Sequence, residues 1–170
     1  MQINWSKITL FEDLTEEEIL QVKNIFSTID VGADTNLITE NTKGDKMFIL
    51  IDGKVQIRKS MLFEELNISL PDIKSTTKVL ATLEGSSHPI FGEIALVDDD
   101  IRSATVHVLT PSTFLETSQE KFFHFINKYP PIGVKLLLSL CKNFTKTIRK
   151  SNNEVVKITT ALALSLSRTA

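Results

Sequence analysis

The stretch FGEIALVDDDIRSATV, Phe91 to Val106, sets a carboxylate at Glu93 and a guanidinium at Arg102 nine residues apart around a short apolar run. Phe91-Gly92-Glu93 reads as the close of a strand, and Glu93 to Leu96 is long enough for one helical turn. So short a turn leaves main-chain N–H groups without helical partners, and such donors suit an anion. Gly92 removes a side chain where a ligand would approach the backbone. Arg102 follows the Asp98-Asp99-Asp100 loop and offers a planar fork of donors that neutralises an anionic group. Glu93 would repel the same anion, so its place here makes sense if it accepts hydrogen bonds from sugar hydroxyls on the same ligand. The alternative is that Glu93 and Arg102 pair with each other and merely tie two strands of a degenerate pocket together.

Outward from this stretch the texture is that of short antiparallel strands. VLATLEG precedes it, ATVHVL and STFLETS follow, and from Asp30 to Lys59 apolar runs are broken by Gly32, Asn41, Gly44 and Gly53. In MFILIDGKVQIRK, Met47 to Ile51 reads as a strand, Asp52-Gly53 as a hairpin turn, and Val55 and Ile57 alternate with polar residues. Residues 60–77 crowd apolar side chains between polar ones and read as an insertion in the β unit, ended on its helical part by Pro71.

Helices flank the strands. Thr15 and Glu18 form a capping-box pattern, and Ile19, Leu20, Val22, Ile25 and Phe26 supply an apolar face for a short N-terminal helix. From Gln119 onward the pattern is helical again. Leu137, Cys141, Phe144, Ile148, Ser151, Val155, Ile158, Leu162 and Ser165 follow one another in unbroken steps of four and three, a heptad seam that is apolar at seven of nine positions. The seam reads either as one long helix docked on the β unit or as a face shared with a second chain, a homodimer through residues 137–165.

At FGEIAL and RSATV the sequence resembles the cyclic-nucleotide-binding domain family, of the type found in catabolite activator protein and in protein kinase A regulatory subunits, whose phosphate-binding cassette has the same Glu-to-Arg spacing. LFEDLTEEEI is similar to the family's N-terminal helix, NLITENTKGDKMFILIDGKVQI to its early strands, and EKFFHFINKYPPIGVKLLLSL to its closing helices, so the likeness runs over about residues 8–150. It implies an α+β fold, mainly β: a jelly-roll-like β-roll with an N-terminal helix and C-terminal B and C helices. Residues 8–130 would hold the β-roll and B helix, and 131–168 the long C-terminal helix. By resemblance, Arg102 binds the cyclic phosphate and Glu93 the ribose 2′-hydroxyl. Amides near Gly92, Ile94, Ala95 and Ser103 complete the cradle, Phe91 and Ala104 belong to the same segment, and the base lies toward the C-terminal helix. Ser103 stands where family members with Ala or Ser favour cAMP and those with Thr tolerate or favour cGMP. The implied function is a cAMP, or else cGMP, sensor that signals through its C-terminal helix to a protein partner. The alternative is a degenerate fold serving as a ligand-free dimeric interaction scaffold.

Composition excludes other classes. A formal charge of −2 gives no general attraction to nucleic acid or anionic membrane, so neither is expected as a partner. With about 20 residues after Arg149 there is little room for a helix-turn-helix, and the lysines and arginine of the last helix read as a solvated face. MQINWSKITLFEDL lacks the apolar core of a signal peptide, which points to the cytoplasm. His88, His107 and His124 have no metal-ligand spacing, no nucleophile motif occurs, and the single Cys141 reads as a small core hydrophobe, so neither metal nor catalysis is expected.

Overall fold

The structure, a computed structural model, describes residues 3–61, 77–97 and 101–168, apart from the side chains of Ala95 and Arg168. Two four-stranded antiparallel sheets face each other. One runs in the order β1 (Ser27–Val31), β8 (Ser112–Ser118), β3 (Lys46–Asp52), β6 (Ile90–Phe91); the other runs β2 (Thr35–Ile38), β7 (Thr105–Val108), β4 (Lys54–Ser60), β5 (Thr77–Glu84). This is the jelly-roll-like β-roll, with helices on one side. The insertion read at 60–77 lies, but for its edges, outside the described residues.

Strand β3 shows why the sheets stack as they do. Successive side chains of a strand point to opposite faces, and its five central residues are all buried because both faces are covered. Phe48 and Leu50 join Val55, Phe91, Val106, Val108 and Phe114 between the sheets, while Met47, Ile49 and Ile51 meet the helices. Gly53, at φ +97°, lets the chain reverse directly into β4.

The N-terminal helix α1 (Glu16–Val22) opens on the capping box between Thr15 and Glu18. It is shorter than the apolar pattern suggests, because residues 23–25 tighten into a 3-10 turn before β1. Ile19 and Val22 are buried, but Leu20, read as part of the same face, points to solvent. Helix α2 (Gln119–Lys128) starts on the Ser118 cap. Tyr129, pushed out of the helical region by the proline after it, separates α2 from α3 (Pro130–Arg168).

Helix α3 docks by its first third. Ile132, Leu136 and Leu140 are buried in the helix-side core, each worth about 1.5–3 kcal/mol of apolar burial. The Ser139 hydroxyl donates to the Thr9 carbonyl at 2.9 Å, and Lys135 and Lys142 bind Glu18 and Asp13 at 2.7 Å each. Phe144 still packs on that core, but every residue from Thr145 to Ser167 is exposed. Apart from Phe144, the docking face is thus a different stripe from the heptad seam, and α3 is not a helix docked along its whole length. Ile148, Val155, Ile158 and Leu162 are each more than half exposed, and Cys141, read from the sequence as a core residue, is exposed too because it lies on α3 away from the docked stripe.

Candidate functional site

Strand β6 delivers the chain to Gly92, whose φ of +73° turns it into a 3-10 turn over Glu93–Leu96. Leu96, at the end of the turn, is fully buried among the helix-side residues that include Phe122 and Phe125 of α2. Burial pushes the Glu93 carboxyl above its ordinary range, against its own main-chain amide and the Arg102 charge.

Arg102 is 8% exposed. Its main chain is laced to the β2–β3 turn: Arg102 N–H donates to the Thr42 carbonyl at 2.8 Å, and Asn41 N–H donates to the Arg102 carbonyl at 2.9 Å. The guanidinium lies between two glycine backbones. Nη2 donates to the Lys46 carbonyl at 2.8 Å and Nη1 to the Gly92 carbonyl at 3.3 Å, using two of its five N–H donors. A Cβ on Gly44 would sit 2.5 Å from Nε, and one on Gly92 would sit 2.6 Å from Nη1. A side chain at Gly92 would therefore displace Arg102. Burial lowers the guanidinium's pKa, while Asp45 and Glu93 hold it up. Among the described residues no ion pair joins Arg102 to Glu93: the two act on each other electrostatically, but the guanidinium's hydrogen bonds go to carbonyls.

These residues wall one cavity of about 480 Å³, within the range of small-molecule sites. Phe91, Gly92, Glu93 and Ile94 form one side, and Arg102, Ser103 and Ala104 another. Ala95 belongs to the 3-10 turn, its side chain outside the described residues, as are Asp98 to Asp100. Ile57, Leu80, Leu83 and Val106 make an apolar wall, and Ile101 lines the cavity half-exposed. A more open groove of about 610 Å³ at the N-terminal turn, lined by Trp5, Glu16, Leu20 and Lys23, has none of the cassette residues.

A family model for the cyclic nucleotide-binding domain matches residues 29–129, more than half of the chain and all of the cassette. The chain belongs to that family. A cyclic nucleotide-binding domain from Methylobacillus flagellatus shares the fold, with a TM-score of 0.73 at 24% identity over 89% of this chain and 78% of that one. The cAMP-dependent protein kinase regulatory subunit of Dictyostelium discoideum is 23% identical over 68% of this chain, which spans 32% of that subunit. A CRP-like cAMP-activated global transcriptional regulator of Mycobacterium tuberculosis is 22% identical over 88% of this chain and 59% of its own length.

Sequence reasoning missed several residues of this domain's cavity. Gly44 was legible only as a turn residue, yet it makes the space for the arginine. Lys59, on β4, and Thr147 and Lys150, on α3, all line the cavity, so Arg102 is not its sole cation. Lys59 is the next inward residue after Ile57 in the strand's alternation, a signal present in QIRK; nothing local marked Thr147 or Lys150. Among the described residues no helix is long and apolar enough to cross a membrane.

Proposed function

We propose that this chain is a cAMP sensor whose ligand state is passed to α3 and from there to a partner. The observation that carries the reading is that one cavity is walled both by the cassette residues Glu93 and Arg102 and by Thr147 and Lys150 of α3. A nucleotide anchored at the cassette end would reach the helix. Arg102, with three donors beyond those given to carbonyls, takes the cyclic phosphate, together with the amides of Gly92, Ile94, Ala95, Ser103 and Ala104. Glu93 accepts from the ribose 2′-hydroxyl, and Phe91 backs the segment. The apolar wall and α3 enclose the base, and Ser103 favours adenine over guanine.

The same helix carries the exposed seam, and a second copy is its partner. Two chains in parallel would bury Ile148, Val155, Ile158 and Leu162 against their counterparts, with Ser151 and Ser165 small enough for the interface. Because Thr147 lies one residue from Ile148, ligand at the cavity would act on the start of the seam.

Calorimetry on nucleotide-stripped protein tests the ligand. One cAMP per chain is expected, with weaker cGMP binding. Arg102→Ala should weaken cAMP by about thirtyfold or more, roughly 2 kcal/mol, the low end for a lost buried charge partner because Lys150 remains. No heat and no thermal shift with millimolar cAMP or cGMP would leave the ligand-free scaffold as the better account.

A further inference from the structure

Lys59 and Glu40 form a small polar assembly beside the cassette that neither the motif nor the ligand roles above explain. Glu40, in the turn two residues after β2, is largely buried, its side chain 11% exposed. Its Oε2 accepts from the Ser60 amide at 2.8 Å and its Oε1 from Lys59 Nζ at 3.1 Å. The Glu40 amide donates to the Thr105 hydroxyl at 3.0 Å, so the carboxylate is fixed at both ends of its residue. Lys59 Nζ makes a second, shorter bond, 2.6 Å to the carbonyl oxygen of Ser103. An acidic side chain this near an anion site would oppose the ligand. Here the hydrogen bond from the Ser60 amide, together with the Lys59 ammonium that balances its charge, holds the carboxyl below its ordinary range.

The bond to Ser103 has a geometric consequence. In a trans peptide the C=O and the next N–H point in opposite directions, and no cis peptide occurs among the described residues. Holding the Ser103 oxygen therefore sets the direction of the Ala104 N–H. That amide has no hydrogen-bond partner among the described residues, and Ala104 lines the cavity. A donor without a partner, in a peptide held at its oxygen, is available to an acceptor on a ligand.

We propose that Lys59 is a positioning residue of the anion cradle: it holds the Ser103–Ala104 peptide so that the Ala104 N–H faces the ligand's anionic group, while Glu40 absorbs its charge. The proposal rests on the nucleotide reading. It separates Lys59 from Arg102, whose charge acts on the ligand directly, and it explains why a cavity-lining lysine sits beside a buried glutamate. An ammonium neutralised in this way adds little to the site's attraction for an anion over distance, so its removal should be felt as lost geometry.

The test is cAMP affinity by calorimetry for the wild type, Lys59→Met and Lys59→Arg, each at about 50 and 300 mM salt, flanking the range in which exposed charges are screened. Lys59→Met should weaken cAMP about tenfold at both salts, leaving the salt dependence as in wild type. Lys59→Arg, which keeps a donor for the carbonyl and a charge for Glu40, should return to within about threefold. Arg102→Ala, in contrast, should flatten the salt dependence. In the unliganded protein, Lys59→Met should also change the amide proton shift of Ala104. That readout needs no ligand and reports whether the Ser103–Ala104 peptide has lost its hold. Since the Lys59 side chain is half-exposed, Lys59→Met should fold, and Lys59→Gln serves if its melting curve says otherwise. Equal affinity in wild type and both neutral variants would overturn the proposal, as would a salt dependence reduced in Lys59→Met as much as in Arg102→Ala. Wild type binding neither cAMP nor cGMP would overturn the nucleotide reading and this proposal together; wild type binding with an unaffected Lys59→Met overturns this proposal alone.

Discussion

Replacing Gly44 with alanine perturbs Arg102 without touching its charge. The added Cβ would lie 2.5 Å from Nε and 2.6 Å from Nη2, where ordinary contact begins near 3.4 Å. The guanidinium must therefore retreat by roughly 1 Å, a distance at which van der Waals repulsion has vanished. A move of that size takes Nη2 out of reach of the Lys46 carbonyl, now 2.8 Å away. A hydrogen bond to a charged group is worth about 1.5–3 kcal/mol. Gly44 does not have a positive φ, so alanine strains no backbone there and gains about 0.4–1 kcal/mol by restricting the unfolded chain. The net cost to stability is about 1–2 kcal/mol. For the ligand, misplacing one charge-assisted bond corresponds to a loss of roughly 10- to 150-fold. Calorimetric titration with cAMP of wild type, Gly44→Ala, Arg102→Ala and the double variant measures it. The loss seen in wild type should vanish in the Arg102→Ala background, because the two residues act through one contact. A Gly44→Ala affinity within threefold of wild type, or an equal loss with Arg102 already gone, would refute the idea that Gly44 exists to seat the arginine.

Glu93 should give the site a pH dependence of definite sign. Its folded pKa is raised above the ordinary 4.5, so the unliganded fold keeps a proton that the unfolded chain has lost; this residue's contribution to stability is fullest below about pH 4.5 and is lost as pH rises through the folded value. A sugar hydroxyl donates best to the ionised carboxylate, so cAMP affinity should rise over the same window with release of protons, measurable by calorimetry in buffers of different ionisation enthalpy. Glu93→Gln should abolish both effects, and a wild-type affinity flat across that window would count against the assigned role. Ile158→Glu should turn a dimer into a monomer by light scattering at tens of micromolar, since burying an isoleucine contributes about 1.5–3 kcal/mol per chain. Val156→Glu, equally exposed but off the seam, should leave the dimer intact. A monomeric wild type, with or without cAMP, would sink the dimer. If the helices are parallel and in register, a short thiol-to-thiol linker should join Cys141 of two chains, and protein left unlinked at dimer concentrations would argue against that register.

What could be read directly from the chain was local. The cassette spans sixteen residues, and its Gly-Glu turn and returning arginine are recognisable because they fall within one short window, in the types and at the spacing of the family's cassette. The capping box at Thr15 and Glu18 and the Asp52-Gly53 reversal are legible for the same reason: each is a contact or a dihedral within four residues of itself. Tertiary structure decided what lies across the sheets. Arg102 is held by the Lys46 carbonyl 56 residues away, and Ser103 by Lys59 44 residues away. Strand register and the facing of the two sheets set those contacts, and neither leaves a mark in a short window of residues. Helix α3 makes the point within a single element. The stripe through Ile132, Leu136 and Leu140 and the stripe through Leu137, Cys141 and Ile148 both satisfy helical periodicity, so either could have docked. Only packing against the turn at Leu10 and Phe11 and against α2 chose the first, because burial depends on which surface is opposite, and periodicity says only that some surface must be.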